Sequence, residues 1–347
     1  MEKRMEKLLF ASDYQEGAHP EILKRLAETN FAKSTGYGLD AYSEAAREKI
    51  RAACRVPEAE IHFLAGGTQA NAVVISALLR PYQGVVAAET GHVGVHEAGA
   101  IECGGHKVLT LPQKDGKISA TALRAYLTAW WADENRDHMV MPGMVYLSHP
   151  TEYGTLYSLS ELTAIHAVCR EYRIPLYVDG ARLAYALGCG ENDVTLPDLA
   201  RLTDAFYIGG TKCGALFGEA VVFPVPDTVP HFFTIVKQHG ALLAKGRIAG
   251  IQFDTLFTDD LYVRGGRAGI RAANRIREAL LRKGYRLSIP SPTNQIFLTL
   301  DQSQLARLSG EIEMAFFETL EGDCVMMRIA TSWATTDEEV EELISRL

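Results

Sequence analysis

Between residues 61 and 223, short apolar runs alternate with stretches of helical character, and this alternation restricts the possible folds more than any other feature. The runs are IHFLAG, GVVAAE, KVLTLP, MVYLSH, PLYVDG, AFYIGG and EAVVFP. Runs this short, rich in Val, Ile, Tyr and Phe, are typical of buried strands. Helical stretches such as TQANAVVISALLR and SLSELTAIHAVCREYR separate most of them. The pattern predicts an α/β fold with a doubly wound, mostly parallel seven-stranded sheet covered by helices on both faces.

The last of these runs is expected to break the parallel order. Only TKCGALFG separates EAVVFP from AFYIGG, and a parallel connection needs a longer crossover. We therefore expect EAVVFP to pair antiparallel at an edge, which makes the sheet mixed.

After about residue 250 the chain changes character. RAGIRAANRIREALLRKG is a basic amphipathic helix, followed by YRLSIPSPTNQIFLTL, a helical stretch near 304–320, and VMMRIATSW. This order predicts a smaller α+β domain with its own short sheet. We divide the chain into a large domain of residues 1–250, including an N-terminal arm, and a small C-terminal domain of residues 251–347.

Composition excludes several classes of protein. The 347 residues are 47% hydrophobic, and the formal charge of -8 comes from 35 basic and 43 acidic residues that are interspersed, so no nucleic-acid footprint is expected. Six scattered cysteines without CxxC pairs argue against a disulfide framework and a zinc or other metal site, and favour the cytoplasm. The start MEKRMEKLLF lacks the apolar segment of a signal peptide, and no run approaches the roughly 18 residues of a membrane span.

A glycine-rich turn is the first candidate binding element. FLAGGTQANAVV places Gly67 and Thr68 between a strand and a helix, where free backbone N–H groups and the positive helix end suit a phosphate. A Gly-Gly turn with a threonine that caps the helix is the alternative.

Two ionisable residues follow later strands at the carboxyl edge of the sheet, where ligands bind in open α/β folds. Asp179 can form a structural ion pair with Arg182, or it can serve as the counterion of a cofactor's protonated pyridine nitrogen. Lys212 lies between glycines and apolar residues, so desolvation can lower its pKa as a Schiff-base amine requires; most lysines are simply solvated. The phosphate-type turn, Asp179 and Lys212 together indicate one cofactor site.

The chain resembles the threonine aldolases, within the aspartate-aminotransferase-like, fold-type I group of pyridoxal-phosphate enzymes. The resemblance runs through SDYQEGAHPEIL, TGYGLDAYSE, FLAGGTQAN, ETGHVGVHEAGA, VDGAR, GGTKCGALFGEA and MMRIATSW. It implies a lyase that uses pyridoxal phosphate to cleave threonine, allo-threonine or a related β-hydroxy amino acid to glycine and an aldehyde, as a homodimer or homotetramer. A β-eliminating lyase for another amino acid, or a cofactor-binding protein without turnover, shares the same early features.

The resemblance also implies roles for the candidate residues. Lys212 would carry the cofactor, Asp179 would pair with its ring nitrogen, and Gly67 and Thr68 would hold its phosphate. His92 would stack on the cofactor ring.

Further roles concern the phosphate and the substrate. Thr211 stands where the family usually has serine and keeps a hydroxyl beside the phosphate. Ser12, Arg182 and Arg328 would bind the substrate carboxylate, because a guanidinium meets a carboxylate with two hydrogen bonds. A segment containing Lys237 and Lys245 resembles the family region that reaches a neighbouring subunit's phosphate.

The general base has three candidate residues, which are Glu152, His149 and His92. The family usually has Asn-Thr-His after the strand that matches MVYLSH, whereas this chain reads SHPTEYG. Glu152 falls in the histidine column if Gly154 is aligned, and His149 restores the residue type only with a shift of three positions. His92 and Glu152 are therefore the expected catalytic partners of Lys212.

Overall fold

The computed structural model describes residues 7–347. The first six residues lie outside the described residues. Both the segment examined for a signal peptide and the predicted large domain begin there. The strands of the described chain are β1 Leu8–Leu9, β2 Glu60–Leu64, β3 Gln83–Ala88, β4 Val108–Leu111, β5 Met141–Ser148, β6 Leu176–Asp179, β7 Ala205–Gly209, β8 Glu219–Phe223, β9 Arg286–Leu287, β10 Gln295–Leu300, β11 Ile312–Glu313, β12 Ala315–Thr319 and β13 Val325–Ala330.

The α-helices of the same residues alternate with these strands, and a single 3-10 turn covers Arg136–His138. They are α1 Pro20–Glu28, α2 Ala41–Cys54, α3 Gly67–Leu78, α4 His92–Val95, α5 Ala100–Cys103, α6 Ala120–Ala132, α7 Leu159–Tyr172, α8 Leu183–Gly188, α9 Leu196–Leu202, α10 Phe232–Gln238, α11 Arg247–Leu256, α12 Leu261–Arg282, α13 Gln302–Glu311 and α14 Asp337–Arg346. None of the helices described is long and apolar enough to cross a membrane.

The central sheet confirms the predicted α/β architecture. Within residues 7–347 it has seven strands in the order β2-β8-β7-β6-β5-β3-β4. The pairs β4·β3, β3·β5, β5·β6 and β6·β7 are parallel. β8 is antiparallel to both of its neighbours, β7 and β2, so the sheet is mixed as predicted.

The expected edge position of EAVVFP is wrong. β8 is inserted between β7 and β2, and β2 forms the edge. The physical reason is that β8 has hydrogen-bonding partners for both of its sides, and every residue of the strand is buried.

Two apolar layers cover the sheet because successive strand residues point to opposite faces. Val145 and Leu147 of β5 pack with residues of α2, α6, α7 and α9. Met144 and Tyr146 of the same strand pack instead with residues of α3, α5 and α10. Ser158 and Glu161 form a capping box that starts α7, which satisfies two of its terminal N–H groups.

The C-terminal region forms a second sheet in the order β12-β13-β10-β9, with antiparallel neighbours. Residues of α12, α13 and α14 pack with it. The predicted helix near 304–320 is wrong beyond α13, because 312–313 and 315–319 are strands. The stretch AFFET is rich in aromatic side chains, and cross-strand pairing with β13 favours an extended backbone there over helical propensity.

The N-terminal arm lies against this second sheet region. β1 pairs in parallel with β11, and Phe10 continues the contact through hydrogen bonds to Glu313 and Ala330. The predicted boundary after residue 250 falls inside α11, which packs on α2. The division into residues 1–250 and 251–347 stays a prediction.

Candidate active site

The carboxyl ends of β2, β5, β6 and β7 meet at one edge of the central sheet, and a pocket of about 290 Å³ opens there. Its wall contains most of the residues expected from the sequence, namely Gly67, Thr68, His92, Glu152, Asp179, Arg182, Thr211 and Lys212. It also contains residues that sequence reasoning did not select, among them Tyr14, Ser148, Tyr207 and Glu219.

The glycine-rich turn ends β2 and starts α3. The N-cap of α3 is Gly66, and no side chain accepts a hydrogen bond from the first turn. The alternative in which Thr68 caps the helix is therefore wrong, because Thr68 lies inside the first turn with its side chain exposed. Uncapped N–H groups at the positive end of a 12-residue helix form a site for an anion. A Cβ at Gly67 would lie 3.0 Å from the Tyr207 hydroxyl, so a larger residue crowds the pocket.

Asp179 lies at the end of β6 with its carboxylate surrounded by donors. Among the described residues, Oδ1 accepts from the Tyr207 hydroxyl at 2.5 Å and the Ala181 amide at 2.9 Å. Oδ2 accepts from the Tyr146 hydroxyl at 2.7 Å and the Asn71 amide at 3.0 Å. Burial by itself would raise the pKa of Asp179, but His92 and these hydrogen bonds hold it below its ordinary value. The carboxylate therefore stays charged in the pocket.

Arg182 does not pair with Asp179, and that structural alternative is wrong. Its Nε and Nη2 donate to Asp13 Oδ2 and Oδ1 at 2.7 and 3.0 Å, and Asn294 also donates to Asp13 at 2.9 Å. Burial opposes the charge of Asp13, yet Arg182 lowers the pKa of the carboxyl to about 2. The bidentate pair fixes the guanidinium at the pocket wall.

Lys212 lies just after β7 and is partly buried, as its glycine-rich surroundings predict. The Tyr185 hydroxyl donates to its carbonyl at 2.7 Å, and its Nζ lies 5.9 Å from the Tyr14 ring centre. Burial lowers the pKa of Lys212, and the positive charge of Arg182 adds to this effect. The neutral, nucleophilic amine is thus more accessible near neutral pH than that of an exposed lysine.

Thr211 lies in the pocket wall with its hydroxyl hydrogen-bonded within the protein. Its hydroxyl donates to Glu219 Oε1 at 2.9 Å and accepts from the Gly218 amide at 3.0 Å. The hydroxyl is therefore held by β8 and its loop, and its expected place beside the phosphate stays a prediction. The buried Glu219 also accepts from the Gly210 amide at 3.2 Å, and burial raises its pKa to about 8.

A hydrogen-bond chain joins His92 to Asp179. His92 Nδ1 lies 2.7 Å from Glu97 Oε1, and the same oxygen accepts from Asn71 Nδ2 at 2.7 Å. Asn71 also reaches Asp179, while its own Oδ1 accepts from the Tyr177 hydroxyl at 2.9 Å. Buried Glu97 thereby orients the ring of His92 and, as its acceptor, favours the tautomer with the proton on Nδ1.

The two other candidate bases have different environments. Glu152 Oε1 accepts from the Ser148 hydroxyl at 2.6 Å and the His92 backbone amide at 2.9 Å, and burial raises its pKa while the Ser148 hydrogen bond opposes the rise. His149 is buried away from the pocket wall with Nε2 3.2 Å from Asn192 Oδ1. Burial lowers the pKa of His149 to about 4, so it is not placed to replace the family histidine.

Ser12 and Arg328 lie outside the lining residues of the pocket, and Arg328 contacts Ala11, the residue before Ser12. Arg328 Nη2 donates to the carbonyl of Ala11 at 3.0 Å, and Nη1 donates to Gln295 at 3.0 Å. Its buried Nε has no hydrogen-bond partner among the described residues. Burial lowers the pKa of Arg328 to about 10, and the positive charge of Arg182 adds to this effect while Asp13 opposes it.

Lys237 and Lys245 are exposed and do not contribute to this pocket. Lys237 Nζ lies 4.8 Å from the ring centre of Tyr37. The Tyr37 amide donates to Ala244, next to Lys245, at 3.1 Å. The two lysines therefore lie on one surface with the TGYG segment.

Sequence reasoning missed Asp13, Glu97 and Glu219, although all three stand inside the motifs SDY, HEAGA and FGEA that carry the resemblance. Asp13 directly follows the predicted site residue Ser12, which was an available signal, whereas Glu97 and Glu219 lie further along the chain from His92 and Lys212. Tyr207 could have been found from strand alternation, which places it on the same face of β7 as Gly209.

Comparisons with known proteins identify the family and the solved structures to which this chain is similar. Residues 10–288 match the family model described as β-eliminating lyase. The low specificity L-threonine aldolase of Pseudomonas aeruginosa is 32% identical over 341 residues, which cover 96% of this chain and 95% of that protein. The solved structure of Leishmania major threonine aldolase is 41% identical, covers 97% of both chains and superposes with a TM-score of 0.94. Thermus thermophilus aspartate aminotransferase shares the fold, with a TM-score of 0.73 and 16% identity over 98% of this chain and 90% of that one.

Proposed function

The chain belongs to the β-eliminating lyase family, and from this membership we propose that it is a threonine aldolase that cleaves threonine or allo-threonine to glycine and an aldehyde. The observation that carries the proposal is one pocket whose wall contains the amine of the partly buried Lys212, the charged Asp179 and the uncapped start of α3. The start of α3 lies more than 100 residues before Asp179 and Lys212 in the sequence, and the sheet brings all three to one edge.

Pyridoxal phosphate is the cofactor, as in the enzymes to which the chain is related. The pocket fits it, because it offers an amine for the aldehyde group, a carboxylate for the pyridine nitrogen and a helix N-terminus for the phosphate. When bound, the cofactor supplies an electron sink for the bond that is cleaved. We assign covalent attachment to Lys212, the ring nitrogen to Asp179, and the phosphate to Gly67 and Thr68.

Arginine side chains hold the substrate carboxylate in this proposal. Arg182 uses Nε and Nη2 on Asp13, so its Nη1 can donate into the pocket. Arg328 provides a buried Nε without a partner among the described residues. Ser12 lies beside Ala11, the residue whose carbonyl Arg328 contacts. These three side chains would orient the bond to be broken relative to the cofactor plane.

His92 is the residue we assign to the β-hydroxyl proton. Glu97 occupies Nδ1, which leaves Nε2 as the ring nitrogen that can accept a proton. Glu152 is engaged by Ser148 and by the His92 amide, so its assigned role is to hold the segment that begins α4. We expect His92→Asn to slow threonine cleavage by about 100-fold or more while Glu152→Gln slows it less, measured as kcat with threonine. The reverse order would move the base to Glu152.

Lys212→Ala tests the attachment site. We expect the purified variant to lack the visible imine absorbance that borohydride removes from the wild type, because no other amine stands in the described pocket wall. Dialysis-resistant absorbance in the variant would contradict the assignment. Product analysis on the wild type separates the alternatives: glycine with an aldehyde indicates the aldolase, ammonia with a keto acid indicates β-elimination, and neither indicates a cofactor-binding protein without turnover.

A homodimer or homotetramer is the proposed assembly. Phe31 is 94% exposed and Leu39 is 61% exposed, on either side of the Tyr37 segment that contacts Lys237 and adjoins Lys245. Apolar side chains this exposed favour burial against another surface. We propose that a second copy covers this face and that Lys237 and Lys245 reach its phosphate site; light scattering that finds an active monomer would contradict this.

A cytoplasmic location is proposed on the state of the cysteines. All six are unpaired in the described chain, as expected for a reducing compartment. Cell fractionation with an antibody against the chain tests this location.

A further inference from the structure

A continuous run of oxygen atoms connects Glu152 to Asp179 at the edge of the pocket. Tyr146 and Ser148 lie two residues apart on the same face of β5, and Ser148 is the register partner of Asp179 in β6. The Tyr146 hydroxyl lies 2.7 Å from Asp179 Oδ2 and 3.1 Å from Ser148 Oγ. Ser148 Oγ in turn lies 2.6 Å from Glu152 Oε1. Three short oxygen–oxygen contacts therefore join the two carboxyl groups.

These three contacts need more protons than the two hydroxyl groups supply. Oxygen atoms at such distances are normally joined by a hydrogen bond, which contains one proton. Tyr146 and Ser148 have one hydroxyl proton each. If each hydroxyl donates to the carboxyl group beside it, the 3.1 Å contact between the two hydroxyl oxygens has no proton. The third proton has to come from one of the two carboxyl groups.

Asp179 is not the source of this proton. Its carboxylate also accepts from Tyr207, Asn71 and the Ala181 amide. Burial opposes its charge, but His92 and the hydrogen bonds hold the pKa of Asp179 below its ordinary value. Asp179 is therefore the charged end of the run.

Glu152 has fewer donors than Asp179. Besides the Ser148 contact, the His92 backbone amide donates to Oε1 at 2.9 Å. Burial raises the pKa of Glu152, and the Ser148 contact opposes this rise while the charge of Asp179 supports it. A proton on Oε1 reverses the 2.6 Å contact, so that the acid donates to Ser148 and Ser148 donates to Tyr146. All three contacts then become hydrogen bonds that point toward Asp179.

We propose that Glu152 is protonated in the resting protein and that Ser148 and Tyr146 connect it to Asp179 as an oriented hydrogen-bond relay. Burial and the charge of Asp179 raise the pKa of Tyr146 well above its ordinary value, so the phenol keeps its proton. The relay directs this proton to Asp179 and helps to keep that carboxylate charged. Glu152, Ser148 and Tyr146 are thus positioning residues for Asp179, a role that rests on its proposed pairing with the cofactor's ring nitrogen.

Other titratable groups around Glu152 belong to several elements and are identical in wild type and Glu152→Gln. They are Tyr146 of β5, Asp179 of β6, His92 of α4, and Tyr153 and Tyr157 of the loop between β5 and α7.

Infrared difference spectroscopy of the full-length holoenzyme at neutral pH tests the protonation of Glu152. We expect the wild type to show a carboxylic-acid C=O band that shifts in heavy water and is absent from Glu152→Gln. Glu171→Gln is the matched control, because Glu171 is about half exposed and pairs with Arg124. Its difference spectrum should show the loss of carboxylate bands instead. Loss of carboxylate bands in Glu152→Gln would overturn the inference.

The connection to Asp179 is tested with Ser148→Ala, and Ser148→Thr is the control that keeps a hydroxyl group. Ser148→Ala leaves both carboxyl groups in place but interrupts the relay, so Tyr146 becomes a weaker donor and Asp179 binds a proton more easily. Tyr146→Phe removes the donor itself and should raise the pH at which half of the cofactor is released on acidification by about one unit. Ser148→Ala should raise it by less, and Ser148→Thr should keep the wild-type value. Equal release curves for wild type and Ser148→Ala would overturn the relay.

A second infrared measurement covers the case in which Glu152→Gln does not fold. The acid band should then move to higher frequency in Ser148→Ala, because the Glu152 O–H loses its acceptor, and an unmoved band would overturn the inference. Product analysis separates this inference from the proposed function. A protein with the acid band that forms no glycine from threonine would refute the proposed function alone. A protein that forms glycine and an aldehyde without the band would refute the relay alone.

Discussion

The bidentate pair between Asp13 and Arg182 provides a quantitative test of how the pocket is held together. Asp13 is fully buried and the Arg182 side chain is 11% exposed. The pKa of Asp13 falls from an ordinary value of 3.8 to about 2, a difference that corresponds to roughly 2 kcal/mol of folding stability at neutral pH. Asp13→Asn removes this contribution and also one acceptor for the guanidinium, and uncompensated buried charges typically cost about 3–5 kcal/mol. We therefore expect a loss of about 2–5 kcal/mol.

The sign of the pH dependence distinguishes a charge effect from a packing effect. Because the folded-state pKa is depressed, the contribution of Asp13 is complete above its unfolded value near 3.8 and disappears as the pH falls toward 2. The free-energy difference between wild type and Asp13→Asn should be constant from pH 7 to about pH 5 and should fall to about half near pH 3. Urea unfolding followed by fluorescence at each pH measures it.

A surface ion pair serves as the control. Arg124 and Glu171 approach to 2.9 Å but are about half exposed, and exposed pairs contribute at most about 1 kcal/mol. Glu171→Gln should therefore change stability far less than Asp13→Asn. The reasoning is refuted if Asp13→Asn lowers the free energy of unfolding by less than about 1 kcal/mol. It is also refuted if this loss does not decline on acidification in the range where both proteins still fold.

Two further substitutions probe the hydrogen-bond chain of the site. Glu97→Gln keeps an acceptor for His92 but removes the negative charge that lies 2.7 Å from Nδ1. The kcat for threonine should therefore fall by about 10- to 100-fold, with little change in KM. A change confined to KM would contradict the role of Glu97 in orienting His92. Tyr207→Phe removes the 2.5 Å hydrogen bond to Asp179 and raises the pKa of this carboxyl, so on acidification half of the cofactor should be lost about one pH unit higher. Cofactor release is measured as the absorbance that remains with the protein after rapid filtration. A release curve identical to that of the wild type would contradict this prediction.

The large sheet was predictable because its signal is local. Each of the seven runs is apolar enough to be buried on both faces, and helical stretches between them leave few alternatives to a doubly wound sheet. The place of β8 was not predictable from local pattern. A short connection indicates antiparallel pairing with β7, but only the presence of β2 on the other side makes it an interior strand.

The site shows the same division between local and distant information. Lys212 and Asp179 were predictable from their places at strand ends, and Gly67 from the turn before α3. Their partners were not, because a sequence does not show which donor reaches which oxygen. Asp13 and Arg182 are 169 residues apart, and both oxygens of the carboxylate accept hydrogen bonds from the guanidinium. The local sequence suggested an ion pair between Arg182 and Asp179. In the structure Arg182 pairs instead with Asp13 of the N-terminal arm.

Four carboxylates in and around the pocket have the same chemistry but different proton affinities. Asp13 faces a guanidinium, Asp179 is engaged by four neutral donors in the described structure, and Glu219 accepts from two. Glu152, with a hydroxyl and an amide, resembles Glu219 and likewise has a raised pKa. The order of proton affinity thus follows the donors that each carboxylate receives. Since the antiparallel direction of β8 brings Glu219 to the edge where β2 and β7 end, the mixed topology of the sheet places a carboxyl group with a raised pKa in the wall of the pocket that Lys212 also lines.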